Sequence, residues 1–207
     1  MVAYKVDDNS IVNLFDSVKN DFNTYKNSEN IEMEMRFGKI TKSKFDPTIN
    51  KNSYERIMKG LLKYRDWEIV KESNTSVYYK NKKRIIVDDD TGDQSIMIKH
   101  NIKNINYDLG NSPFDIRFSI SSEVDVEDDK DDSDEEMDHV RVKKRMSFIR
   151  KNLSIDITQV SGEADDMDQE EGVKYEIELE IVDPKTIKDD VELFNIIYKI
   201  RDILKLL

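Results

Sequence analysis

Ile31-Glu32-Met33-Glu34-Met35-Arg36-Phe37-Gly38 is the stretch that decides the fold. Ile31, Met33, Met35 and Phe37 alternate with Glu32, Glu34 and Arg36, the period of two that gives a pleated strand two unlike faces. A half-buried strand ordinarily backs its apolar face with bland polar side chains, whereas here the second face is ionised. The pattern returns near the C-terminus, where Tyr175, Ile177, Leu179 and Ile181 alternate with Glu176, Glu178 and Glu180. Same-face neighbours lie about 7 Å apart along a strand. Two such strands side by side therefore bring Glu32, Glu34, Glu176, Glu178 and Glu180 around one volume. Carboxylates so close stay ionised only beside cations, and a hard divalent ion with oxygen ligands, Mg2+ or Mn2+, is the natural occupant. An open sheet with a solvated charged face gives the same alternation, so neither strand alone separates the two.

A third strand, Val140-Arg141-Val142-Lys143-Lys144-Arg145-Met146-Ser147-Phe148, sets Arg141, Lys143 and Arg145 on one face. Basic side chains at that spacing suit phosphate oxygens, which arginine binds as a bidentate fork. Single cations, Arg84, Lys99 and Arg117, stand in other apolar strands, where a plain surface charge is an equal reading. Acidic and basic strands in one barrel would enclose a metal ion together with a polyphosphate, the combination that stabilises charge in phosphoryl transfer.

Further out, the period of two predicts strands over 31–38, 67–72, 75–81, 83–88, 94–101, 114–124, 140–149, 153–160 and 173–182. Turn residues at 89–92 and 110–113 separate several of them. Helical spacing predicts three amphipathic helices. The first carries Ile11, Leu14, Phe15, Val18 and Phe22 behind a Ser10 cap, the second covers about Ser53–Trp67, and the third runs from about Asp190 through Leu204. Many strands and few helices give an α+β fold, an antiparallel sheet or barrel with helices packed outside.

The 207 residues predict one domain. Two acidic runs explain the net charge of −11: residues 125–138 carry −9 and residues 163–171 carry −6, which leaves the rest of the chain at +4. Such runs read as solvated inserts, or as a docking tail for a basic partner, and an anionic ligand stays compatible with the remainder. Zero cysteines exclude thiolate ligands and nucleophiles and point to a reducing, intracellular setting. Two histidines, His100 and His139, make a histidine metal cage untenable. No apolar run approaches a membrane span, no signal peptide opens the chain, and neither a P-loop nor a dinucleotide-binding glycine turn is present.

Together, Glu32-Met-Glu34-Met-Arg36-Phe37-Gly38 and Glu176-Ile-Glu178-Leu-Glu180 resemble the signature of the triphosphate tunnel metalloenzymes. More narrowly the pattern is similar to the metal-dependent RNA 5′-triphosphatases of fungal, protozoal and large-DNA-virus (mimivirus-type) mRNA capping. The order between the two ends matches as well: Arg84-Ile-Ile-Val-Asp88, Lys99, Asp115-Ile-Arg117, Glu123, Arg141-Val-Lys143-Lys-Arg145 and Ile155-Asp156-Ile-Thr158.

The resemblance implies a closed eight-stranded antiparallel barrel with a hydrophilic interior, spanning 1–207 as one triphosphatase domain and forming the N-terminal part of a longer capping enzyme. It implies Glu32, Glu34, Glu176, Glu178 and Glu180 as ligands of Mg2+ or Mn2+. Arg84, Lys99, Arg117, Arg141, Lys143 and Arg145, with Asp156 and Thr158, would hold the triphosphate. Glu123, with Glu178, would orient or deprotonate water, and Arg84, Lys143 and Arg145 would act in the chemical step. The implied substrate is triphosphate-ended RNA, with NTP or inorganic polyphosphate as alternatives. A non-catalytic polyphosphate-binding module is the reading from another class. A downstream guanylyltransferase domain is the implied partner, and host cytoplasm or virion the implied location. The sequence departs from the pattern at Ser154, where some relatives carry a basic residue, which leaves another cation to take that role.

Overall fold

The computed structural model describes residues 8–42, 44–127, 139–162 and 172–207. The chain runs α1 (Asp8–Tyr25), β1 (Ile31–Thr41), β2 (Lys44–Asp46), α2 (Lys51–Lys63), β3 (Ile69–Lys80), β4 (Lys83–Asp88), β5 (Gln94–Tyr107), β6 (Asp115–Asp125), β7 (His139–Arg150), β8 (Leu153–Ser161), β9 (Lys174–Ile181), α3 (Asp190–Ile197) and α4 (Lys199–Leu204). A 3-10 turn, Pro184–Thr186, precedes α3.

The strands pair antiparallel in the order β2-β1-β6-β5-β4-β3-β7-β8-β9, and β9 returns to β1. That last pairing joins Glu34 to Glu180, Met35 to Leu179 and Arg36 to Glu178, and closes an eight-stranded barrel. The short β2 lies outside the cycle, paired only with the end of β1. Closure removes free edges, and it commits one face of every strand to the interior.

Apolar residues take the outer face. Met33, Met35 and Phe37 of β1, Ile116, Phe118 and Ile120 of β6, Ile155 and Ile157 of β8 and Ile177, Leu179 and Ile181 of β9 are buried there. They pack under Ile11, Leu14, Val18 and Phe22 of α1, Ile57 and Leu61 of α2, and Leu193, Ile197, Ile200 and Ile203 of α3 and α4. Phe15 meets Phe194 edge-on at 5.5 Å, fixing α1 against α3. The hydrophobic core thus sits between barrel and helices, which leaves the lumen to the polar face.

Several boundaries differ from the sequence-based expectation. The predicted strands 67–72 and 75–81 are one strand, β3, since Ser73 and Asn74 continue the register against Arg145 and Lys144. Ser10 lies inside α1, which already begins at Asp8. Asn50 caps α2 by accepting the Ser53 N–H, and this helix ends at Lys63, short of Trp67. The C-terminal helix is broken at Tyr198 into α3 and α4. The acidic run 163–171 and most of the run 125–138 fall outside the described residues. No described helix is long and apolar enough to cross a membrane.

Candidate active site

Strand parity decides what enters the lumen. Directly opposed residues share a face, so the β1 set Glu32, Glu34 and Arg36 meets Ser121, Ser119 and Arg117 of β6. The β9 set Glu176, Glu178 and Glu180 meets Thr158, Asp156 and Ser154 of β8. β7 turns Arg141, Lys143 and Arg145 inward against neutral Val77, Thr75 and Ser73 of β3. Arg84 of β4, and Lys99 of β5 opposite Glu123 of β6, complete the ring. Lys144, one residue out of phase, is exposed.

Most of these charges already have partners. The Lys99 ammonium lies among Glu32, Glu34 at 3.9 Å and Glu123 at 3.1 Å, and Ser121 donates its hydroxyl to the same Glu32 carboxylate. Arg84 reaches Glu123 at 3.8 Å. Arg141 donates to Glu176 at 2.8 Å. Arg145 spends every nitrogen: Nε on the Thr158 hydroxyl (3.1 Å), Nη1 on Asp156 (3.0 Å) and Nη2 on Glu178 (2.9 Å). Ser154, where a base was expected from the resemblance, donates to the other Asp156 oxygen at 2.6 Å. Asp156 is thereby fixed from both sides, and the cation on this wall is Arg145. Lys143 has no acidic partner within ion-pair distance among the described residues, and burial lowers its pKa to about 8.

Arg36, which the sequence reading put on the charged face but gave no role, proves central. Its Nη2 bridges Glu34 of its own strand and Glu178 across the seam, each at 2.9 Å. Glu178 thus accepts two guanidiniums. Burial would raise its pKa, but Arg36, Arg145 and Lys143 outweigh it and hold the carboxylate at about 2. Glu34 is pushed up to about 7 by burial and by the Glu178 charge, which Arg36 offsets only in part. Glu180, facing Glu32 and Asp156, also rises to about 7, with burial the first cause. Parity with Glu32 and Glu34 was the signal that could have identified Arg36.

Arg117 stands apart from the other cations. Its Nε donates to Asn106 at 2.8 Å, and its guanidinium lies 4.6 Å from the Phe45 ring centre. That ring occupies the space a side chain at Gly38 would need, since a Cβ there would fall 2.6 Å from Phe45 and 2.1 Å from the Asp46 carbonyl oxygen. The glycine of the β1 motif is what admits Phe45 of β2 to this end of the barrel.

Glu32, Glu34 and Glu180 form a donor set of hard oxygens, and burial, followed by the charge of neighbouring carboxylates, pushes up the pKa of Glu34 and Glu180. Such a set suits a hard divalent cation. With Lys99 and Arg36 drawn into it, the described side chains form no group of three or more spaced as metal ligands, so binding requires these carboxylates to turn from the two bases.

A closed antiparallel barrel whose lumen opposes carboxylates of β1 and β9 to cations of β4, β5 and β7 is a triphosphate tunnel. The chain belongs to the RNA triphosphatase family described as mRNA capping enzyme, beta chain, whose model matches residues 53–194. Solved structures agree in fold. The Pct1 RNA triphosphatase of S. pombe superposes with a TM-score of 0.70 at 17% identity, over 96% of this chain and 85% of that one. In complex with the Spt5 CTD, Pct1 gives 0.76 at 15%, over 98% and 94%. The RNA triphosphatase domain of a trifunctional mimivirus mRNA capping enzyme gives 0.65 at 19%, over 93% and 96%. No curated protein sequence matches the chain.

Proposed function

We propose that the tunnel hydrolyses the γ-phosphate of triphosphate-ended RNA, leaving the diphosphate end on which a cap is built. The observation that carries this reading is the opposition, within one closed lumen, of a set of carboxylates on β1 and β9 and a set of cations on β4, β5 and β7. Water attacks the γ-phosphorus in line, the bond from phosphorus to the bridging oxygen breaks, and inorganic phosphate leaves. Lys143, the lumen base without an acidic partner, takes a phosphate oxygen, and Arg141, Arg84 and Lys99 exchange carboxylate for phosphate as the substrate enters. Arg117 receives the chain at the Phe45 end. Arg145 positions Asp156, Thr158 and Glu178. Glu178, engaged by Arg36 and Arg145, serves to orient water. Glu123, beside Lys99 and Arg84, accepts the proton. Glu32, Glu34 and Glu180, with Glu176 and Glu178 behind them, would hold Mg2+ or Mn2+, which would supply positive charge to offset the negative charge developing on the phosphoryl oxygens.

Inorganic phosphate release from γ-labelled RNA, with and without Mg2+ or Mn2+, tests the reading. Activity should vanish in chelator and return with either ion, and full turnover in excess chelator would overturn the carboxylate assignment. Parallel assays on NTP and tripolyphosphate determine the substrate class, because the same lumen accommodates all three. The mimivirus relative is trifunctional, and we extend this to a guanylyltransferase partner and a viral setting for the present chain.

A further inference from the structure

On the outside of the barrel, α2, α4 and the turn between β7 and β8 enclose a groove of about 750 Å3. Its floor is apolar, made by Leu61, Trp67, Leu153, Ile155, Ile203 and Leu206. The groove continues past Gly60, Tyr64 and Leu206 into a second concavity of about 690 Å3, whose remaining lining is Arg56, Lys59, Lys63 and Lys205, with no acid. Gly60 sets this junction, because a Cβ there would come within 2.6 Å of the Leu206 side chain just beyond α4, which would have to shift.

We propose that this groove docks a short acidic peptide segment carrying aliphatic anchors. The chain as a whole is at −11, yet this surface is basic. Arg150, Lys151 and Lys199 line the first part against Glu192 and Asp202, and Asp202 is already held by Lys199 at 2.8 Å and Lys205 at 3.0 Å. Arg56, Lys59 and Lys63 follow one face of α2 without an acidic partner within ion-pair distance among the described residues. Seven residues of helix spread them over about 10 Å. Charges so dispersed fit a run of carboxylates, whereas a single phosphate needs donors that converge.

The floor argues for peptide over single-stranded RNA, which binds by stacking bases on open aromatic faces. Trp67 is locked by its indole N–H on the Leu61 carbonyl at 2.8 Å, meets Tyr64 edge-on at 5.0 Å and packs on Phe148. Arg150 covers Tyr64 at 5.4 Å. An apolar trough beside a charged shelf takes the aliphatic side of an amphipathic segment.

Trp67 is the only tryptophan of the chain, so its emission reports the groove directly and independently of tunnel chemistry. The experiment titrates the full chain with a tryptophan-free twelve-residue peptide of Glu and Asp with leucines at helical spacing. The controls are the same peptide with serine for leucine, and a 5′-hydroxyl RNA dodecamer. Saturable change of Trp67 emission with the leucine peptide alone is expected. It should weaken at least tenfold in Lys59→Glu/Lys63→Glu, or in Lys205→Glu should the double variant melt early. Equal binding of the serine peptide, binding of the RNA in place of the peptide, or indifference to charge reversal at both sites would each overturn the proposal.

Discussion

Glu34 and Glu178 face one another through a single guanidinium, yet one carboxyl is pushed up to about 7 and the other held at about 2. Arg36 serves both, Arg145 adds a second base to Glu178 at 2.9 Å, and the second base of Glu34, Lys99, stands off at 3.9 Å. A pH dependence follows. Glu34 and Glu180 bind protons in the folded chain at pH values where the unfolded chain has released them. Stability is therefore fullest below about 4.5, the ordinary value for glutamate, and is lost as pH rises through about 7. The opposite contribution of Glu178 is lost only as pH falls toward about 2, outside that window. Metal-free protein should melt at a higher temperature at pH 5.5 than at 7.5, and millimolar Mg2+ or Mn2+ should raise the pH 7.5 value most. A melting temperature that climbs steadily between those pH values would contradict the repulsion at this end of the lumen. The sequence displayed all five glutamates, because alternation is local. Which of them carry the repulsion was not legible, since that depends on partners from β7 and β1 far away in the chain.

Among the elements, β7 tests register most sharply. Lys143 and Lys144 are chemically identical neighbours, and only the pleat separates them, one facing the lumen and the other exposed. Lys143→Ala should lower turnover on triphosphate-ended RNA by a hundredfold or more, through loss of a charge-assisted contact to phosphate. Lys144→Ala should stay within about twofold, and equal losses measured as kcat would mean the register is wrong. Parity of this kind made β1, β7 and β9 readable from sequence, because each alternates over most of its length, with Lys144 the one charge on the apolar face of β7 between Val140 and Phe148. β3 was harder. Ser73 and Asn74 are turn formers by composition, but here they continue an unbroken strand, Ser73 lining the polar lumen opposite Arg145 and Asn74 pointing outward opposite the exposed Lys144. Likewise, three residues of β2 carry too little pattern to announce a strand, and its close approach to Gly38 is visible only in the structure. The apolar spacing that suggested one terminal helix runs through Tyr198, where the chain turns from α3 into α4.

For the whole molecule, placing the core outside the barrel divides stability from chemistry. Phe118 is fully buried on the outer face of β6, and Phe118→Ala should cost about 3–5 kcal/mol while leaving the lumen residues of that strand unchanged. Glu180→Gln should do the reverse. The amide keeps the size of the side chain and removes a charge that burial, Glu32 and Asp156 all disfavour. At pH 7.5 the metal-free variant should be more stable than the parent by on the order of 1 kcal/mol, discounted because Glu180 is partly open to water. A domain of this size would then melt a few degrees higher, ~2–4 °C. Added Mn2+ should stabilise the parent and barely move the variant, since the ligand set has lost a charge, and phosphate release should fall by orders of magnitude. Gain of stability with loss of activity is the mark of a site held under repulsion for its ligand. Thermal melts of parent and variant, each with and without Mn2+, separate the cases. A Glu180→Gln protein less stable than the parent would make this carboxylate a structural partner and remove it from the metal set.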